Sequence, residues 1–353
     1  MKKSLLLLSL FAVSSISLAE EKKFNVVSSV PIELHGGASG AYFWTNNTGT
    51  SSDEDDKIQL SNGILQFNGA FGNNIKLSFD LALGTVLVPS LWDGGQNNPV
   101  SYNFSSGAVD KSGFGLVWGY ASFEPFKGIS VDAGVLPTNV GYEVANTYAN
   151  PNITLGTVWY AQPVIYEGVR LNFDLDKLVN IPLSFYAEYN QEFNTDNYAL
   201  GVSGEFFGVS FALNYYDYRA NKNLFDVVLG YSISNVDLGL NFDYQWLDDS
   251  AKQKGQDDSA WGVALYFIPR FETGKGEVSI PVRLEYFDEG TSGIYSGSSK
   301  DNNGWSFTIT PTYKPTSNTF VRVEYAYLNT DKKVINNRED NKTTISAEIG
   351  FTF

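Results

Sequence analysis

The chain has 353 residues, no cysteine, 33 glycines, 15% aromatic side chains (21 Tyr, 25 Phe, 7 Trp) and a formal net charge of -15. Without thiols there is no disulfide frame and no zinc–thiolate or cysteine-nucleophile chemistry. An acidic surface also lacks the basic footprint that nucleic acid requires. The 43% hydrophobic content is too dispersed for a helical membrane protein, and the aromatic and glycine content suits strands and tight turns.

Residues 1–19 read as a secretory leader. Lys2-Lys3 form a basic start, Leu5–Val13 a short apolar core, and Ser17-Leu18-Ala19 a small-x-small cleavage site before Glu20. No Cys follows Ala19, so the leader is not of the lipoprotein kind. The mature chain leaves the cytoplasm, with residues 20–30 as a periplasmic lead-in and 31–353 as the folded body.

From there the chain is strand after strand, with almost no helical periodicity. Strands are expected near 31–44, 57–71, 74–87, 113–123, 128–136, 164–173, 181–193, 195–206, 208–217, 223–233, 235–246, 258–270, 275–287, 303–314, 319–328 and 342–353. That even number suits a single-chain barrel. A phase shift around Ser61-Asn62-Gly63 in the second strand reads as a β-bulge.

Connections after odd-numbered strands tend to be long and polar: 45–56, 88–112, 137–163, 247–257, 288–302 and 329–341, with Asn194 and Tyr218–Lys222 as short members of the set. Those after even-numbered strands are tight, as at Gly72-Asn73, Phe207 and Ser234. Alternation in step puts the long loops at one end and both termini at the other, which a Greek-key sandwich has no reason to do. The expected fold is therefore all-β: a transmembrane, antiparallel, up-and-down β-barrel of about 16 strands.

Within the strands, one parity is apolar, as in Ile75-Leu77-Phe79-Leu81-Leu83, Leu238-Leu240-Phe242-Tyr244 and Val321-Val323-Tyr325-Tyr327. The other carries Lys76, Asp80, Asp132, Asp237, Asp243, Arg322 and Glu324. Parity alone does not separate a lipid-facing row from a row facing a second sheet. The last strand alternates strictly and ends on Phe353, which suits a closing strand that pairs with the first and is read by the barrel assembly machinery.

The longest connection, 137–163, is the candidate constriction, folded inward and bearing Glu143 and Tyr148. Opposite it on the wall stand Arg170, Glu188, Arg283, Glu285, Arg322 and Glu324, since rings of side-chain charge select ions in a narrow aqueous gap. Acidic residues outnumber basic ones on the inner parity, so a weak cation preference is expected. The lone His35 has no nucleophile signature beside it, so no catalysis is expected. Asp53-Glu54-Asp55-Asp56 lacks the ligand spacing of a calcium loop and reads as a solvated acidic loop. No cofactor or metal is implied.

The segment Asn150-Pro-Asn-Ile-Thr-Leu-Gly-Thr-Val-Trp-Tyr-Ala-Gln-Pro-Val-Ile-Tyr-Glu-Gly-Val-Arg170 resembles the loop-to-strand segment of the putative β-barrel porin-2 (OmpL-like) family. The ending from Arg322 to Phe353 is similar to that family's last hairpin. The resemblance implies an outer-membrane porin of a Gram-negative bacterium that passes small solutes or ions, in contact with lipid and lipopolysaccharide. Sixteen-stranded porins commonly assemble as trimers, so a homotrimer is a further expectation. A passive pore, a solute-specific channel and a non-conducting adhesin or anchor all fit these residues.

Overall fold

A computed structural model describes residues 22–26, 30–48, 53–72, 75–219 and 221–353; the expected leader lies outside them. Sixteen antiparallel staves close into a barrel. They are β1 Val30–Asn46, β2 Glu54–Phe71, β3 Lys76–Val86, β4 Gly115–Phe126, β5 Ile129–Pro137, β6 Ile165–Asp174, β7 Leu183–Asn190 and β8 Asn197–Phe206. The second half is β9 Val209–Asp217, β10 Lys222–Ile233, β11 Val236–Leu247, β12 Ser259–Thr273, β13 Gly276–Ser279 with Val282–Gly290, β14 Asn302–Ile309 with Thr312–Thr316, β15 Thr319–Thr330 and β16 Asn341–Thr352. Each stave pairs with its sequence neighbour, and β16 returns to β1 with Ala38 opposite Phe351 and Thr45 opposite Thr344.

Exposure resolves the parity question. Leu77, Leu238, Val321, Val323 and Tyr325 are exposed, whereas Asp80, Asp237, Asp243, Arg322 and Glu324 on the opposite parity are buried. A sandwich would bury the apolar row; here it forms the outer surface. A Lys or Arg placed there at the bilayer midplane would cost about 2–4 kcal/mol. No helix among the described residues is long and apolar enough to cross a membrane.

Several details depart from the sequence expectations. Lys22–Val26, in the expected lead-in, is a strand that hairpins onto Val30–Leu34. The second connection, 87–114, slightly exceeds 138–164 in length and contains its own hairpin, Val100–Asn103 with Ala108–Ser112. β13 and β14, expected to be continuous, are interrupted beside Pro281 and Pro311. Proline has no N–H to give the ladder, and Thr310 N–H bonds instead to the Pro281 carbonyl. The bulge lies where expected: Asn62 pairs with Ser39 and Leu60 with Gly40, leaving Ser61 unpaired. The acidic stretch Asp53–Asp56 is exposed at the mouth of β2.

The seam between β1 and β16 is extended by the C-terminal residue. Phe353 N–H donates to the Gly36 carbonyl at 2.9 Å, and Gly36 N–H donates back to the Phe353 carbonyl at 3.0 Å. The Phe353 ring stacks on Phe351 with centroids 6.2 Å apart. Deleting Phe353 removes both terminal rungs and the last outer ring, so assembled protein in the membrane fraction should fall several-fold, while barrels that do form should unfold at the parent's temperature within a few degrees. Normal assembly of the deletion would refute a role for Phe353 in closing the sheet.

Candidate functional site

A connection as long as 138–164 with two short helical turns, Thr147–Ala149 and Thr157–Tyr160, leaves most of its main-chain N–H and C=O groups without partners of its own. If buried and unpaired, each costs about 1–3 kcal/mol. The barrel wall supplies the partners. Three arginines each grip a carbonyl of this loop or of its root while pairing with a carboxylate. Arg170 donates to the Pro137 carbonyl at 2.7 Å and to Glu188 at 2.6 Å. Arg283 donates to the Thr154 carbonyl at 2.7 Å and to Glu143 at 2.5 Å, with Glu285 3.3 Å from its Nε. Arg322 donates to the carbonyls of Thr147 and Asn150 at 2.7 and 2.9 Å, and to Glu348.

Wall carboxylates and amides take the loop's N–H groups. The Glu324 carboxylate accepts from Ile153 and Thr154 N–H at 2.5 and 2.9 Å and from the hydroxyls of Thr154 and Thr310. Glu285 accepts from Val158 N–H at 3.1 Å, Asp226 from Gly141 N–H at 3.2 Å and Asn241 from Tyr142 N–H at 3.3 Å. Asn214 donates to the Asn139 carbonyl, Lys222 to that of Ala161, and Glu192 accepts from Val164 N–H. The loop thus lies against the inward faces of β9–β15 and reaches β16 and β2, where Thr147 hydroxyl meets Glu348 and Asn62.

Small wall residues make room for it. A Cβ added to Gly239 would lie 2.6 Å from the Tyr142 ring, and one on Gly262 would lie 3.1 Å from Val158. Tyr142 in turn stacks on Tyr266 of β12, centroids 4.0 Å apart. The second connection braces the outer side: Leu155 N–H donates to the Pro89 carbonyl and Leu91 N–H to the Leu155 carbonyl, while Lys342 donates to the Trp92 carbonyl.

Seven of the eight expected constriction residues (Glu143, Arg170, Glu188, Arg283, Glu285, Arg322, Glu324) are buried, Arg283 at 0% exposure. They meet one another and the loop backbone. Tyr148 is half-buried and stands apart, its ring edge against Gly37 of β1. Burial pushes the Glu143 carboxyl up to about 7, against the downward pull of Arg283, and pushes Glu192 to about 7 as well. The anchors that sequence reasoning did not single out, Asn214, Asn241, Lys222 and Glu192, are ordinary polar residues. For Asn214 and Asn241, position on the inner parity was the one signal available; Lys222 falls in an expected connection and begins its strand one residue earlier than the sequence suggests.

The remaining wall, on β2–β6, is less covered. Gln66, Tyr120, Asp132 and Asn172 point inward there and are half-buried. Asp80 accepts from Gln66 and from Trp118 Nε1, and Asp132 from Asn172. His35, inward on β1 and level with Gln66, is half-buried too. Among the described residues no group of three or more metal-ligating side chains occurs.

The model of the family described as putative beta-barrel porin-2, OmpL-like, matches residues 31–353. No curated protein matches the chain. Among solved structures, OmpT of Vibrio cholerae superposes with a TM-score of 0.65 at 12% identity, covering 95% of this chain and 100% of that one; it also exists in a trimer form. OmpF of Salmonella typhi, solved with daunomycin, gives 0.64 at 14% identity over 92% and 98%. DcaP, an outer-membrane channel of Acinetobacter baumannii, gives 0.64 at 10% identity over 94% and 99%.

Proposed function

The chain belongs to the putative beta-barrel porin-2, OmpL-like family, and on that footing we propose that it is a passive diffusion channel for small hydrophilic solutes and ions, narrowed by the loop 138–164. The observation that carries this reading is the loop's seat: its main chain is bonded by wall side chains from β6 and β9–β15, and β2–β6 face it with accessible polar groups. Flow then runs between the loop and the β2–β6 wall, filtered by size and charge, with no chemical step. The family and fold are those of outer-membrane channels rather than enzymes.

On this reading Glu143, Arg170, Glu188, Arg283, Glu285, Arg322 and Glu324 hold the constriction in place, and Tyr148 lies nearer the water path. The arginines are neutralised by their carboxylate partners, whereas among the described residues the hydrogen bonds to Asp80 and Asp132 come from neutral donors. Two carboxylates beside a narrow aqueous gap lower the potential there, so a modest cation preference follows. The reversal potential in a salt gradient across a planar bilayer tests it. Cations should be favoured, and replacing both Asp80 and Asp132 with Asn should bring the channel close to unselective. An anion-favouring potential in the unaltered protein would sink the charge assignment.

The same proposal places the long loops outside, both termini in the periplasm of a Gram-negative cell, and the outer aromatic and aliphatic rows against lipid and lipopolysaccharide. Residues 1–19 are cleaved, the assembly machinery reads Phe353, and three copies associate. The trimer form of the Vibrio barrel supports the last point by analogy of fold.

A further inference from the structure

The second and third loops, joined through Ser90 and Leu155, enclose a cavity of about 390 Å³ at the long-loop end. Its volume falls within the roughly 300–1,000 Å³ usual for small-ligand clefts. Trp159, Tyr160, Val88, Val100 and Val109 line it, Asn97, Asn98 and Asp110 supply polar groups, and Asp93 borders it. Tyr160 is 52% exposed, and its ring lies 6.4 Å from that of Trp92.

The geometry points to a saccharide-binding subsite at the mouth of the channel, taking a neutral mono- or disaccharide. A pyranose has an apolar C–H face, which an exposed aromatic ring covers, and a rim of hydroxyls that both donate and accept. Amide and carboxylate side chains match that rim. The lining disfavours two other classes. Among the described residues that line the cavity none is basic; nearby Lys57 is taken up by the carbonyls of Gln96 and Asn97 and by Asn98 Oδ1, and Lys342, beside Asp93, by the Trp92 carbonyl, so the lining suits a neutral ligand better than an anion. A polyamine would need converging carboxylates, but Asp93 is already occupied by Ser90 N–H and hydroxyl and by Gly95 N–H, leaving Asp110 alone. The subsite rests on the channel reading only for its purpose, which is to concentrate a sugar at the entrance.

Two measurements on the purified full-length barrel test it. Maltose, cellobiose and chitobiose are titrated against intrinsic tryptophan fluorescence in detergent, and the same sugars are added to the long-loop side of a planar bilayer. At least one sugar should perturb the fluorescence saturably and reduce the current. Tyr160→Ala, at an exposed site, should weaken that binding by roughly five-fold while leaving the sugar-free conductance unchanged. Saturable binding by a barrel that never conducts would keep the subsite and remove the channel. Normal channels with no response to any of the three sugars would overturn the subsite and keep the channel. So would an unchanged affinity in Tyr160→Ala, or block by spermidine alone.

Discussion

Excising residues 139–162 and joining Thr138 to Pro163 through a short Gly-Ser linker should raise single-channel conductance several-fold and admit solutes that the intact protein excludes. The reason lies in what the loop occupies. Its main chain is laid along the inner faces of β9–β15, over a row of small residues that includes Ala212, Gly239, Gly262 and Ala264. Without it that half of the lumen fills with water. The barrel should survive, because its ladders and its β1–β16 seam do not use the loop, and the stranded wall charges would be hydrated rather than buried. Conductance in planar bilayers and swelling of liposomes in sugars of graded size measure the effect. A deletion that assembles yet conducts like the parent would show that the loop does not limit flow.

The second large effect is expected from one side chain. Arg283→Ala leaves Glu143 and Glu285 buried without their cation and the Thr154 carbonyl without its donor. Removing one partner of a buried ion pair costs about 3–5 kcal/mol, more than a loop held by individual hydrogen bonds of about 1 kcal/mol can absorb locally. The loop should therefore leave its seat for part of the time, seen as fluctuating open-channel current and as new protease cleavage between residues 138 and 164. Adding Glu143→Gln and Glu285→Gln should restore much of the quiet current, because the uncompensated charges are then gone. If Arg283→Ala is as quiet and as protease-resistant as the parent, the arginine does not hold the loop.

Most of the barrel was legible because its signals are local and periodic. Parity along β3, β11 and β15, the one-residue slip at Ser61, and the alternation of long and short connections each follow from the pleat and from up-and-down topology. Proline breaks at 281 and 311 were readable in principle, but the apolar alternation continues through both and hides them. The role of the wall charges was harder to see. Arg322 and Glu324 were placed correctly on the inner face, yet their partners are carbonyls and amides of Thr147, Asn150, Ile153 and Thr154. Every residue type offers a carbonyl and all but proline an N–H, so nothing in the loop's own letters reveals that it is held by them. For the same reason Asn214 and Asn241 passed as unremarkable strand residues.

That arrangement has a consequence for how such a channel can change. A plug fastened through its side chains must keep its sequence to keep its place. This one is fastened in large part through its peptide groups, with side-chain ties confined to particular positions such as Glu143, Thr147, Asn152, Thr154 and Gln162. Positions such as Val144, Asn146, Tyr148 and Ala149, which are only half-buried, are then free to drift. If the loop is the filter proposed above, altered permeability can arise there by ordinary point mutation without first dismantling the scaffold, and the filter can evolve faster than its frame.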